Sequence, residues 1–512
     1  MEKKLLILIY IIYANLLFAQ NEQKRDYVWI RGYDQNAIEP GGEGTLLNFN
    51  GGNVSFEFLA KDMEMRFMNA SICDSLGNLL FYSNGCYIAD ASHQMMENGD
   101  SLNYPGEIYD NNCGNGNGYT VANGATILPH PDSSNIYYLF HVKKTFHVVS
   151  PNNFELFGYP LLYTKVDMSK NNGLGAVAEK NQIAIADTLH QQHLEAVKHA
   201  NGKDWWILIP KEQSNVHLSV LLNSDGISNV FEQEIGDAQL SEGDGVGQAA
   251  FSPDGTKYAK YDYKSQLYVY DFDRNTGQLS NFQKLIIEDS TSLGGLAFSP
   301  NSRFIYVASP SKVHQFDIWS SDIQASKILV AEWDGFSDGI HPVSFYQMQL
   351  GPDCRIYLNT PSSCRYMHVI MNPDLPGTEC DLRQHYIMTP SWVSRSLPNF
   401  PNYRLGVTPS YPCDSTINLE TMVAINDVII EKNKIRVFPN PTSGELHLKF
   451  QEGIEGEIIL YNSIGQQVFQ KDIFKDELNY EWYLNQLGIG VYFFTILSES
   501  TIVKCGKIVK LD

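Results

Sequence analysis

Three histidines stand close together in His190-Gln-Gln-His-Leu-Glu-Ala-Val-Lys-His, at positions 190, 193 and 199. A zinc protease of the HExxH type needs two imidazoles on one helix face with a glutamate base between them, and no glutamate separates His190 from His193. They read as strand and loop residues. A second concentration of chemistry is Ser241-Glu-Gly-Asp-Gly-Val-Gly, with Asp237 upstream. Paired carboxylates hydrolyse glycosides at a set separation and with divergent pKa values, which spacing alone does not specify, so this stretch reads as an acidic solvated loop. Asp110, Asn111, Asn115 and Asn117 offer oxygen ligands to calcium, but their spacing is not that of an EF-hand and fits a cluster of Asn-Gly turns. There is no GxSxG, no Walker loop and no Ser-x-Asp-x-Gly-x-Thr-Trp box. The residues therefore assign no catalytic, cofactor-binding or metal-ligating position, and an enzyme is the less favoured class.

The elements that would position such groups form a repeat. Phe251-Ser-Pro-Asp-Gly-Thr-Lys-Tyr-Ala-Lys-Tyr, then Leu267-Tyr-Val-Tyr-Asp-Phe-Asp, then Asn275-Thr-Gly-Gln-Leu reads as strand, turn, strand, loop, strand, turn. Pro presets φ and Gly accepts positive φ, which is what the two turns need. The pattern returns at Phe298-Ser-Pro-Asn-Ser-Arg-Phe-Ile-Tyr-Val and at Leu350-Gly-Pro-Asp-Cys-Arg-Ile-Tyr-Leu, with weaker copies around Gly77, Ser133 and Gly202. Taking Gly77, Ser133, Gly202, Gly255, Ser302 and Cys354 as equivalent, the intervals run from 47 to 69 residues. That matches one four-stranded propeller blade plus loop insertions, whereas a sandwich with similar turns gives no reason for the period. Residues 25–411 are expected to form one β-propeller of seven blades, six from the copies and a seventh from Tyr27-Val-Trp-Ile together with residues 391–404. The first of these segments is expected to serve as an edge strand closing the ring, and residues 95–123 as a surface loop.

Composition bounds the rest. Residues 1–19 carry Lys3 and Lys4, an apolar run from Leu5 to Phe18, and Ala19, the pattern of a signal peptide cleaved after Ala19. No other apolar run is long enough for a membrane span, so no transmembrane anchor is expected after cleavage. A net charge of −21 argues against nucleic acid as a partner. Eight cysteines in an exported chain permit disulfides. Cys86 and Cys113 flank one long loop and are the best candidates, while Cys73 and Cys86 fall at opposite ends of their strands. Cys505, alone in the C-terminal module, is expected to be unpaired.

After a connector at 412–433 the texture changes. Val437-Phe-Pro-Asn-Pro-Thr-Ser-Gly-Glu-Leu-His-Leu-Lys-Phe opens a module, 434–512, of short alternating strands that predicts a small β-sandwich. The module closely resembles the type A C-terminal sorting domain of the type IX secretion system. The matching residues are Pro439, Asn440, Pro441 and Gly444, Gly465 after Tyr461-Asn, Gly490 and Tyr492 in Leu487-Gly-Ile-Gly-Val-Tyr, and the closing Lys507-Ile-Val-Lys. The resemblance implies export through the type IX machinery, removal of the module at the outer surface, and a cargo attached to the surface or released. Residues 56–406 are similar to the uncharacterised WD40-like propellers that precede such domains in large bacterial surface proteins, through Leu79-Leu-Phe-Tyr-Ser-Asn-Gly, Asp204-Trp-Trp and Leu397-Pro-Asn-Phe. That kinship implies a fold and no activity. The expectation is a secreted or surface-displayed module binding extracellular glycan or protein through its loops, with a propeller hydrolase or lyase on extracellular polymer as the alternative.

Overall fold

The turn between the first and second strand of each sheet sets the architecture. Gly77, Gly202, Gly255, Ser302 and Cys354 all have positive φ, between 61° and 93°. In Ser252-Pro-Asp-Gly the Gly255 N–H donates to the Ser252 carbonyl at 2.7 Å, and the Asp254 carboxylate accepts from the Thr256 N–H at 3.0 Å. The third-to-fourth turn of the same sheet repeats the chemistry, with Asp273 accepting from the Asn275 N–H at 2.8 Å and Gly277 at φ 74°.

In this computed structural model the described residues are 23–34, 43–150, 153–238, 247–289 apart from 263 and 265, 293–419 apart from 394, 435–439, 442–450, 453–462, 466–498 and 501–511. The leader expected at 1–19 lies outside them. The chain divides into two compact units, at residue 421. Among the described residues of the first unit, seven sheets of three to five antiparallel strands follow one another, and their first strands are Val28–Gly32, Ala70–Cys73, Ala125–Pro129, Glu195–Lys198, Gly247–Phe251, Gly295–Phe298 and Met348–Leu350. A two-stranded hairpin, Ser337–Asp338 with His341–Pro342, stands between the sixth and seventh sheets. Strands pair in chain order, as in Gly247–Phe251, Lys257–Asp262, Gln266–Asp273 and Gln278–Leu285, except that in the fourth sheet Phe231–Glu234 pairs with Val216–Asn223 beside the short strand Gly226–Ile227. Successive four-stranded meanders of this kind, packed face to face, make the unit a β-propeller.

Three expectations need correction. Tyr27-Val-Trp-Ile does not add an edge to the last sheet. Val28–Gly32 pairs instead with Gly44–Asn48 as the first strand of its own three-stranded sheet, and it is buried throughout. Residues 391–404 do not build a blade either. The outer strand of the seventh sheet, Leu382–Val393, ends there, and Pro398 and Pro401 cannot donate to a ladder. Residues 95–123 are more than a surface loop, for they hold a short helix, Glu107–Asn112, and bury Leu102, Tyr119 and Val121 in the core. The first part of the connector also belongs to the first unit. Cys413 is bonded to Cys354, and the Asn418 N–H donates to the Gly52 carbonyl at 2.8 Å.

Cys86 and Cys113 are joined as a disulfide, while Cys73, Cys364 and Cys380 are buried thiols. The bridges close loops of 27 and 59 residues, worth about 3.5 and 4 kcal/mol by chain entropy. Burial pushes the Cys364 thiol up to about 12 and that of Cys73 higher still. A buried thiol held protonated is a poor nucleophile. In the native protein an alkylating reagent should leave Cys73, Cys364 and Cys380 unmodified, and peptide mapping without reductant should recover the pairs Cys86–Cys113 and Cys354–Cys413. Rapid native labelling of any of the three would contradict this packing.

Candidate functional site

The axis of the ring is where a propeller usually gathers function, and here the chain fills it. Residues 396–406 bond in turn to the segments around them. The Ser396 hydroxyl donates to the Met65 carbonyl (2.7 Å) and the Arg31 guanidinium to the Ser396 carbonyl (3.2 Å). The Asn399 amide donates to the Leu194 carbonyl (2.8 Å), the Asn402 amide to that of Pro253 (2.7 Å), and the Tyr403 hydroxyl to that of Ile127 (2.7 Å). Arg404 forms a two-pronged pair with Asp26, one contact at 2.9 Å, with both side chains under a tenth exposed. Beside this segment Gln248 reaches across the ring, accepting from the Leu296 and Met348 N–H groups at 3.1 and 3.0 Å. About 80 Å³ of cavity is left, lined by Asp26, Glu195, Gln248, Gln349, Asn399 and Arg404 among others. Burial pushes the Glu195 carboxyl well above the usual carboxylate range.

The sequence-singled histidines go to two places. His190 and His193 lie buried just before Glu195–Lys198 with their rings stacked, centroids 3.6 Å apart. His193 Nε2 faces the Tyr261 carbonyl at 3.3 Å. His217, also buried, joins them, and Lys260 sits among the three, its amine over the Tyr268 ring at 5.4 Å. Burial first, then the Lys260 charge, pushes His190 down to about 3, and burial pushes Lys260 down to about 7 although Asp262 and Glu212 pull it up. Neutral imidazoles stacked face to face do not converge their nitrogens on one point, and these three form no metal-ligand group. His199 is apart from them, half-buried, with Nε2 at 3.1 Å from the Asn275 carbonyl. Asp237 is paired with Lys284 at 3.4 Å, and residues 239–246 of the acidic stretch lie outside the described residues. The Asn115 amide donates to the Asn111 carbonyl (2.9 Å), capping the local helix turn.

A larger opening lies elsewhere among the described residues, and no motif announced it. Between the first-to-second-strand turns of the third and fourth sheets lies a groove of about 330 Å³, lined by Arg25, His130, Asp132, Ser133, Lys198, Lys203 and Trp205 among others. Lys198 lies over the Trp205 ring at 5.2 Å, Tyr403 packs edge-on against the same ring, and Lys203 is 3.5 Å from Asp132. The groove draws on residues more than a hundred positions apart, which hides it from local spacing. The axial segment did leave a signal, since Leu397-Pro-Asn-Phe-Pro-Asn is too proline-rich for a paired strand.

The second unit has two sheets, Ile435–Phe438 with Glu445–Phe450 and Asn479–Tyr483, and Gln467–Ile473, Gly456–Tyr461, Gly490–Ser498 and Thr501–Lys510 in that order. Leu446, Leu448, Ile458, Leu460, Phe494, Ile496 and Ile508 fill the core between them. Pro439 is exposed, and Gly444 has φ 127° with its N–H donating to Thr442 Oγ1 at 3.0 Å. Thr442 in turn pairs with the last strand through the Val509 carbonyl (2.9 Å). Gly490 starts its strand, and the Tyr492 hydroxyl donates to the Gly488 carbonyl at 2.8 Å. Asn440, Pro441 and Gly465 lie outside the described residues, as does the Cys505 side chain. Glu445, His447 and Glu481 form the one group of possible metal ligands within 4.8 Å of one another among the described residues, the two glutamates exposed and the half-buried His447 stacked on Phe438.

The Arg404–Asp26 pair is the buried polar contact on which the axial segment most depends. Removing one partner strands the other charge, at about 3–5 kcal/mol. Arg404→Ala should therefore lower the melting temperature sharply, and Asp26→Asn with Arg404→Met together should lower it less than either change alone. Additive losses in that cycle would refute the pairing.

Residues 436–510 match the family of secretion system C-terminal sorting domains. No curated protein matches the sequence. Solved structures similar to the chain include a protein from Lactobacillus plantarum (12% identity, TM-score 0.42, covering 72% of this chain and 98% of that one). Others are a putative 6-phosphogluconolactonase from Bacteroides uniformis (10%, 0.34, 94% and 99%) and the Cps50 (Swd1) β-propeller domain of Myceliophteria thermophila (8%, 0.36, 66% and 90%). Among the described residues no helix is long and apolar enough to cross a membrane. The chain is thus an all-β protein in which a β-propeller is followed, at residues 436–510, by a type IX secretion system C-terminal sorting domain that directs it to the cell surface or the extracellular space.

Proposed function

We propose that the exported propeller is a binding module that holds extracellular glycan or protein on its loop-lined faces. One observation supports this above the others: the axis is filled by residues 396–406, and the cavity left there, about 80 Å³, is far below the roughly 300–1,000 Å³ of small-molecule sites. The groove of about 330 Å³ between the third and fourth sheets falls within that range.

The alternative, a hydrolase or lyase acting on extracellular polymer, has one feature in its favour. Glu195, kept protonated by burial, and Asp26 line the same axial cavity, and two carboxyl groups in unlike environments are the raw material of acid–base catalysis. Asp26 is committed to Arg404, however, and a cavity that holds a few waters does not admit a sugar ring. Retention on a glycan array beside a hydrolysis screen separates the two readings: the binding module retains its polymer and releases no new chain ends. Sustained release of reducing or unsaturated ends, abolished by Glu195→Gln, would replace the binding reading with the enzymatic one.

The buried histidines pack as neutral imidazoles, and their titration follows from that. His190 and His141 titrate near 3 and His368 near 4 when folded, because burial disfavours the cation, against the ordinary 6.5. The unfolded chain therefore binds more protons between these limits, and stability falls as pH drops from about 6.5 towards 3. Melting temperatures across that window should decline steeply, and His141→Asn should flatten the decline. A melting temperature constant from pH 7 to pH 4 would contradict the burial of neutral imidazoles.

A further inference from the structure

The groove between the third and fourth sheets combines charge and shape in a way the packing does not use up. Arg25 donates from Nε to Gln23 (2.8 Å) and from one terminal nitrogen to the Tyr137 hydroxyl (2.9 Å), leaving its other terminal nitrogen uncommitted. Lys198 donates once, to the Gly202 carbonyl at 3.3 Å, and its ammonium has two further protons. Lys203 meets Asp132 at 3.5 Å on the open rim, where both are more than half exposed. Three cations thus share the groove with one carboxylate, in a chain whose net charge is −21. Lys198 registers the imbalance, because burial, then Arg25, then Arg274 push it down to about 8, and no acid pulls it back. A lysine beside two cations is short of a counterion, and an entering anion would restore it.

We propose that this groove binds the carboxylate of an acidic saccharide, a uronate unit of an extracellular polysaccharide, with Arg25, Lys198 and Lys203 around the carboxylate. The assignment rests on the binding reading above and names its ligand class. A saccharide fits because the rim also carries Asp132, Ser133 and Ser134, which suit sugar hydroxyls, and Asp132 opposes a dense polyanion such as a sulfated chain. The uncommitted terminal nitrogen of Arg25 offers a permanently charged donor to a carboxylate. At physiological ionic strength charges more than about 8 Å away are largely screened, so the local excess of cations outweighs the distant acidity of the chain.

Calorimetry with the full chain, trigalacturonate and a neutral trisaccharide of equal length tests the assignment. Trigalacturonate should bind and weaken with added salt, and the neutral sugar should not bind. Lys203→Glu, exposed enough to leave the fold intact, should weaken trigalacturonate at least tenfold, as should Lys198→Gln, each checked against an unchanged melting curve. Lys284→Glu, on the fifth sheet, should bind as the unaltered protein does. A sulfated trisaccharide bound as tightly as the uronate would overturn the carboxylate assignment. Equal glycan binding by the unaltered chain and Lys203→Glu would remove the groove and leave the binding module standing, whereas a chain that retains no glycan at all would remove the groove's ligand along with the glycan arm of the parent reading.

Discussion

A ring of sheets has one place where backbone polar groups face neither water nor a neighbouring strand, and that is its axis. Met65, Ile127, Leu194 and Pro253 each present a carbonyl there, and residues 396–406 supply a donor to every one of them. An unpaired buried carbonyl costs on the order of 1–3 kcal/mol, so the four together would tax the stability of an ordinary domain. The axial segment is therefore part of the fold. It occupies the space where a propeller enzyme gathers its reacting groups and leaves a cavity of only about 80 Å³ beside it.

Two clusters of titratable groups differ in their surroundings. In one place His190, His193 and His217 pack around Lys260, and burial lowers the proton affinity of all three imidazoles and of the amine. In the other, Arg25, Lys198 and Lys203 line an open groove beside the first-to-second-strand turns of the third and fourth sheets. A cluster of perturbed groups is often a functional site, but it also marks any place where polar side chains are buried in a seam between sheets. What separates the two is solvent: the histidines have none, and the cations have about 330 Å³ of it.

The fold was legible where chemistry is local. A turn needs positive φ within four residues, and Gly77, Gly202 and Gly255 announce it, as Pro439 and Gly444 announce the sorting domain. Ser302 and Cys354 adopt the same φ without being glycine, and they were found because the flanking strands repeat. Legibility failed where partners are distant. Nothing near Arg404 points to Asp26, and nothing near Lys198 points to Arg25 or His130. The 27–30 segment misled for a related reason, since an apolar run is the same whether it closes a ring or begins a sheet, and its pairing with Gly44–Asn48 is decided by the whole ring.

The closure of the ring also explains why the export address can be a separate part. The axial segment is held at one end by Leu382–Val393 in the seventh sheet. Beyond its other end, Cys413 is bonded to Cys354, the Asp414 N–H donates to the Pro352 carbonyl at 2.7 Å, Ile417 is buried in the core, and Asn418 pairs with Asn53. Both ends are thus anchored before residue 419, on strands of the first unit itself. The second unit has its own apolar core, from Ile435 to Ile508, and needs no residue of the first to fill it. Two cores, each closed by its own residues, allow the sorting domain to be read or removed without drawing out the segment that stabilises the axis, and the disulfide at Cys413 lies on the propeller side of that division.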